Sequence, residues 1–281
     1  MRARLLHEVL PRSDGAPGPI LEVEGLHLAF AGVVAIDGVS FSVLNSEIFA
    51  VIGPNGAGKT SIFNCLSGVY HPQEGSIRFM GNDLLGMRPD RVAALGVART
   101  FQNIELFPQM TVLENLMLGR HLHVGYGTPA AMVRFGKASR EEARHREVVE
   151  GIIEFLEIQQ FRKSYVSMLP YGIQKRIELG RALAMEPRLL LLDEPVAGMN
   201  LEETEDMARF ITDIRRELGI GTILVEHDMR MVMDLADRVL ALDFGKPIAM
   251  GTPSEMQSHP DVIRAYLGEA HGVAEDKGGA S

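Results

Sequence analysis

The octapeptide Gly53-Pro54-Asn55-Gly56-Ala57-Gly58-Lys59-Thr60 restricts this chain more than any other stretch. It lies between an apolar run, Ile48 to Ile52, and a stretch with helical character, Ser61 to Leu66. Its spacing fits G-x-x-x-x-G-K-[ST] between a strand and a helix. The glycines let consecutive backbone N–H groups turn inward as a nest for an anion. Lys59 is then placed to reach the β- and γ-phosphates of a nucleotide, the Thr60 hydroxyl to hold Mg²⁺, and Ser61 to add a phosphate contact. Gly53, Pro54, Asn55, Gly56, Ala57, Gly58, Lys59, Thr60 and Ser61 are the expected phosphate-binding set.

Two further strand ends carry polar groups. Leu189 to Leu192 is too short for a helix and suits a buried parallel strand. It ends in Asp193-Glu194-Pro195. Beside a phosphate loop, Asp193 is the expected metal-organising carboxylate. Glu194 is placed to polarise a water against the γ-phosphate. The run Ile223 to Asp228 reads as a third strand, ending in His227. Open parallel sheets bind ligands at the carboxyl ends of their strands, so Lys59, Glu194 and His227 can converge on one γ-phosphate. Gln102 follows a short apolar strand and by itself means little.

The rest of the chain sets the frame. With 281 residues, 46% of them hydrophobic and 23% charged, the composition is that of a globular protein. The net charge of −9 is opposite to that of a generic nucleic-acid binder. The single cysteine, Cys65, excludes a disulfide within the chain, suits a reducing compartment, and reads as a packed thiol. No apolar run approaches the roughly 20 residues that span a bilayer. Residues 1–19 read as a flexible extension, 20–267 as the folded domain, 122–136 as a loop, and 268–281 as a flexible tail. Residues 21–30, 39–44 and 47–53 are short β-rich runs whose alternation predicts an antiparallel region, joined by 76–81. Capping boxes at Thr111/Glu114 and Ser139/Glu142 predict helix starts. Residues 238–251 predict a hairpin turning at Gly245-Lys246, followed by a helix capped at Thr252.

With these residues in order, residues 20–268 resemble an ABC transporter ATPase subunit. The resemblance implies an α/β fold: a P-loop NTPase core with a parallel sheet, an antiparallel β subdomain, and a helical lobe inserted at about 103–170. Gln102 falls at the family's Q-loop position, a sensor and metal ligand. Leu169-Pro170-Tyr171-Gly172-Ile173-Gln174 falls at the signature, Gly198-Met199-Asn200 in the D-loop, and His227 at the switch histidine. Phe30 falls where an aromatic stacks on adenine, although an aromatic on a strand is more often core. The segments around Val196 to Asn200, Val225 to Met229 and Gly251 to Glu269 narrow the resemblance to ATP-binding subunits of branched-chain amino-acid importers. That implies ATP and Mg²⁺ as ligands and a second ABC ATPase subunit, in a homo- or heterodimer. It further implies two membrane permeases, a periplasmic solute-binding protein reached through them, and a peripheral place on the cytoplasmic face of the inner membrane. Gln102 and residues 103–118 would couple nucleotide state to a permease, or 103–118 would simply pack, or both. A soluble ABC ATPase and a non-hydrolysing regulatory module are the competing classes. Intact Glu194 and His227 speak against the latter.

The signature departs from the common Leu-Ser-Gly-Gly-Gln. Pro170 replaces the serine, Tyr171 the first glycine and Ile173 the glutamine, while Gly172 remains for the partner's γ-phosphate. Either backbone N–H groups and the helix dipole suffice, or the two ATP sites of a heterodimer are unequal.

Overall fold

A computed structural model describes residues 18–123 and 135–266. Residues 1–17 of the expected N-terminal extension, the centre of the 122–136 loop and the C-terminal tail lie outside those residues; Pro19, expected in the extension, instead opens the first strand. In chain order the elements are β1 (Pro19–Phe30), β2 (Val33–Leu44), β3 (Ile48–Ile52), α1 (Lys59–Leu66), β4 (Glu74–Phe79), β5 (Asn82–Asp83) and α2 (Pro89–Ala94). Then come β6 (Val97–Arg99), α3 (Val112–Gly119), α4 (Phe135–Phe155), α5 (Tyr171–Leu183), β7 (Leu189–Asp193) and α6 (Leu201–Asp213). The last are β8 (Gly221–Val225), α7 (Met229–Leu235), β9 (Arg238–Asp243), β10 (Lys246–Gly251) and α8 (Pro253–Ser258). They fall into two compact units: one from the described N-terminus to Val92 with Leu191–Glu194 and the chain from Gly221 on, the other Ala93–Leu190 with Pro195–Ile220.

The first unit holds two sheets. The antiparallel sheet has the order β2-β1-β4-β5. Leu21 and Val23 of β1 pair with Val43 and Phe41 of β2 on one side and with Phe79 and Ile77 of β4 on the other. All six of these side chains are buried. The second sheet runs β10-β9-β3-β8-β7, with β3 parallel to both β8 and β9. β3, β8 and β7 are buried at every position. Strands covered on both faces need continuous apolar sequence rather than alternation.

That corrects one expectation. The run 47–53 does not join the antiparallel region, because its five strand residues have no wet face to alternate against. The β9–β10 turn is also one residue earlier than predicted, at Phe244-Gly245, since Lys246 already pairs with Asp243. The capping box at Thr252 is present, with both the Glu255 N–H to Thr252 Oγ1 bond and the reciprocal bond. Cys65 is buried, and burial pushes its thiol up to about 12.

The second unit is mainly helical. Thr111 and Glu114 form the predicted reciprocal cap of α3. Asn200 and Glu203 form another at α6, which the sequence reading missed. α4 begins at Phe135, so Ser139 lies inside the helix rather than at its cap. The spacing of Ile173, Ile177, Gly180 and Ala184 predicts one buried face; Ile177 and Gly180 of α5 and its C-cap Ala184 are buried, while Ile173, in the first turn, is half-buried. A Cβ on Gly180 would stand 2.9 Å from Leu156 Cδ1, so glycine lets the neighbouring chain approach closely. β6 lies beside the entrance to β7, where the Gly96 carbonyl accepts the N–H groups of Arg188 and Leu189.

Candidate functional site

The glycine-rich loop joins β3 to α1 as the motif requires, and its shape is dictated by backbone crowding. Gly53 has φ +153, and a Cβ there would lie 2.3 Å from the Leu242 carbonyl oxygen. Gly58 has φ +98, and a Cβ there would lie 2.4 Å from the Ala35 carbonyl oxygen. Only glycine serves at such positions. The β9–β10 turn braces the loop, with Gly245 N–H donating to the Ala57 carbonyl at 3.1 Å. Gly58 is the N-cap of α1 and offers no side-chain acceptor. The first-turn N–H groups of a helix have no intrahelical acceptor, and the ladder of α1 begins with Ile62 N–H donating to the Gly58 carbonyl at 3.0 Å. Lys59 is 6% exposed, and its Nζ donates to the carbonyls of Gly53 at 2.6 Å and Pro54 at 2.9 Å. The ammonium is thereby held under the loop. Thr60 is exposed and Ser61 half-buried.

Adjacent strands carry the remaining charged groups to the same edge. Glu194 N–H donates to the Val225 carbonyl at 2.9 Å, so the carboxyl ends of β7 and β8 stand side by side. Asp193 closes β7 at 3% exposure. Glu194 follows with φ +48, an unfavourable angle for a residue with a Cβ. This turn brings Glu194 Oε1 to 2.7 Å from His227 Nε2. Of the three groups expected to converge, Glu194 and His227 are in direct contact, and Lys59 Nζ is held at the Gly53 and Pro54 carbonyls. The other acid of the β8 end, Glu226, was not anticipated. It is 3% exposed and accepts the His227 N–H at 3.0 Å. Asp228 caps α7 by accepting the Met231 N–H at 3.1 Å. The run Glu226-His227-Asp228 thus divides into a backbone brace, a ring beside Glu194 and a helix cap.

Phe30 ends β1 and is 45% exposed. Its ring meets Tyr70 edge to face, with centroids 5.0 Å apart at 69°. Gln73 grips the preceding residue at both ends, accepting Ala29 N–H at 2.9 Å and donating to the Ala29 carbonyl at 3.1 Å. Phe30 is a supported surface ring, not core. Tyr70 was missed, although an aromatic between a helix end and His71-Pro72 was the signal available.

The second unit holds Gln102 and the Leu169–Gln174 stretch. Gln102 is exposed, and its carbonyl accepts from Lys175 Nζ at 2.9 Å. Pro170 is the N-cap of α5, with no side-chain cap. Gln174 donates through Nε2 to the Leu169 carbonyl at 2.8 Å, closing the turn. Gly172 is buried beneath α6, where a Cβ would meet Glu203 Oε1 at 2.3 Å. A Cβ on Gly198 would meet the Tyr171 ring at 3.3 Å, so the Gly198–Asn200 turn packs on the helix start. Burial and then the Glu178 carboxylate push the Tyr171 phenol up.

The chain matches the family model "ABC transporter" over residues 36–197. It also matches the model "Branched-chain amino acid ATP-binding cassette transporter" over residues 246–272. It is 41% identical over 252 residues, 90% of this chain and 99% of the relative, to the high-affinity branched-chain amino acid transport ATP-binding protein BraF of Pseudomonas aeruginosa. It is 38% identical over the same shares to LivG of Escherichia coli, which carries the same description. Among solved structures, an ATP-binding cassette of an ABC transporter in its ADP conformation superposes with a TM-score of 0.77 at 28% identity, covering 89% of this chain and 99% of that one. A nucleotide-free cassette gives 0.77 at 29% identity over the same shares.

Proposed function

The chain belongs to the ABC transporter ATPase family, and from that premise we propose that it is the ATP-hydrolysing subunit of an importer for branched-chain or other small amino acids or amides. The observation that carries the assignment of roles is the Glu194–His227 contact of 2.7 Å, on the strand edge that also bears the glycine-rich loop.

Gly53 to Ser61 bind the triphosphate of ATP, with Lys59 at the β- and γ-phosphates. Thr60 and Asp193 would supply oxygen ligands for Mg²⁺, and the family resemblance would add Gln102. That donor set suits a hard cation that completes its shell with phosphate and water oxygens. Among the described residues no cluster of three His, Cys, Asp or Glu could form an all-protein cage. When bound, the ion neutralises charge on the phosphate oxygens.

Glu194 takes the proton of the attacking water. The water oxygen bonds to the γ-phosphorus, and the bond to the β,γ-bridging oxygen breaks, leaving ADP and phosphate. His227 orients the Glu194 carboxylate, and Glu226 fixes the backbone that carries the ring. Phe30, held by Tyr70 and Gln73, stacks on adenine. Catalysis is then mainly positioning and charge stabilisation, as in phosphoryl transfer generally.

A second ABC ATPase subunit supplies the Gly172-type helix end over this triphosphate, and this chain's Gly172 serves the partner's. Two permeases, docked on the helical unit at the cytoplasmic face of the membrane, carry the solute delivered by a binding protein. Among the described residues no helix is long and apolar enough to cross a membrane, which suits a peripheral subunit. The test is reconstitution with the permeases in vesicles. Leucine-dependent stimulation of phosphate release, lost with Lys59→Ala together with ATP binding, is expected. Turnover unaffected by Lys59→Ala would sink the assignment.

A further inference from the structure

The second unit contains a buried ion pair that none of the roles above uses. Lys175 and Glu178 sit on α5 with side chains each 2% exposed and 3.7 Å apart. Burying such a pair rarely adds net stability over apolar side chains of similar volume. What it does here is visible in its other bonds. Lys175 Nζ donates to the Gln102 carbonyl at 2.9 Å. Glu178 Oε1 accepts the Phe101 N–H at 3.2 Å, and the Glu178 carboxylate also takes the Glu105 N–H. One turn further on, Arg181 NH1 donates to the Glu105 carbonyl. The three residues are spaced i, i+3, i+6 and form one stripe along the helix.

All of these bonds end on the main chain of residues 101–105, a segment with no helix or strand hydrogen bonds of its own. The same helix opens at Tyr171, directly after Pro170, so the stripe joins the Gln102 segment to the helix whose start carries Gly172. Burial pushes the Glu178 carboxyl up, and Lys175 with the backbone donors works against that shift.

We propose that Lys175, Glu178 and Arg181 are positioning residues that clamp the Gln102 segment to α5, so that a displacement of Gln102 at one nucleotide moves the helix end serving the other. This rests on the roles given to Gln102 and Gly172 under the proposed function. The clamp makes the two ATP sites of the dimer energetically coupled, and coupling between sites is typically about 5- to 150-fold in affinity.

The experiment measures phosphate release by the assembled transporter against ATP concentration. The wild type should give a Hill coefficient above one. Glu178→Ala should bring it to one and lower kcat more than it changes KM. Glu178→Gln keeps the acceptor oxygen and should restore cooperativity. The double change Lys175→Met with Glu178→Leu keeps volume and burial without the polar bonds, so it separates the clamp from loss of fold. It too should abolish cooperativity while melting near the wild-type temperature. A wild-type coefficient of one, or an unchanged coefficient in the folded double variant, overturns the clamp. Absence of ATP hydrolysis in the wild-type complex would instead overturn the proposed function on which it rests.

Discussion

The loop at Gly53–Thr60 and the helix start at Pro170–Gln174 are the two segments to which the proposed function gives a phosphate, yet they are built in opposite ways. In the loop the crowding atoms are backbone carbonyls, Leu242 against Gly53 and Ala35 against Gly58. At the helix start the crowding atom is a side-chain oxygen, Glu203 Oε1 against Gly172. Backbone cannot step aside without moving a sheet, whereas a side chain can change rotamer. The loop is therefore the rigid half of the proposed phosphate site and the helix start the adjustable half.

The largest expected effect breaks the rigid half. Gly58→Ala puts a Cβ on a residue with φ +98 and on a carbonyl oxygen 2.4 Å away. Strained backbone alone costs about 1–3 kcal/mol, and the clash adds to it. Urea denaturation should show a loss of at least about 2 kcal/mol, and ATP binding should disappear with it. No single side-chain deletion should rescue either.

Gly172→Ala tests the adjustable half. It should cost about 1 kcal/mol in the same assay, within the ordinary range for a point substitution. In a double-mutant cycle Glu203→Ala should recover part of that loss, because the atom it meets is removed. Full additivity would show that Glu203 is not what makes Gly172 necessary.

Pro170→Ser is the mildest change. The N-cap backbone lies at φ −56 and ψ 152, where a serine hydroxyl can accept a first-turn N–H. The cap is worth about 0.5–2 kcal/mol, and loss of proline's restriction of the unfolded chain offsets about 0.4–1 kcal/mol of it. Stability should thus move by less than about 1 kcal/mol. One added hydrogen bond, about 1 kcal/mol, should still tighten ATP-dependent association of the two ATPase subunits severalfold, as read on a sizing column. No tightening would mean that backbone N–H groups already suffice.

Legibility followed the same divide. The glycine-rich loop, Asp193-Glu194 and His227 are compact marks at strand ends, so their gathering at one sheet edge could be read from the sequence. Glu226 escaped because a strand-end acid looks the same whether it braces backbone or faces solvent. Tyr70 and Gln73 act on Phe30 across about 40 residues of sequence, which no local pattern records. The dependence of Gly172 on Glu203 escaped for the same reason. β3 was assigned to the wrong sheet because the neighbouring alternating strands were allowed to set its context, while its own five consecutive apolar residues already favoured two-sided burial. Ser139 matched a capping box by composition, but the helix starts upstream at Phe135.

Under the proposed function Glu194, set by His227, removes the proton from the water that attacks ATP. Phosphate release by the assembled complex carrying Glu194→Gln tests it most directly, alongside ATP binding by the same protein. General-base catalysis contributes about 10²–10⁴-fold. Release should therefore fall at least about a hundredfold while ATP stays bound and the subunits stay associated. Near-wild-type release with Glu194→Gln would contradict the claim.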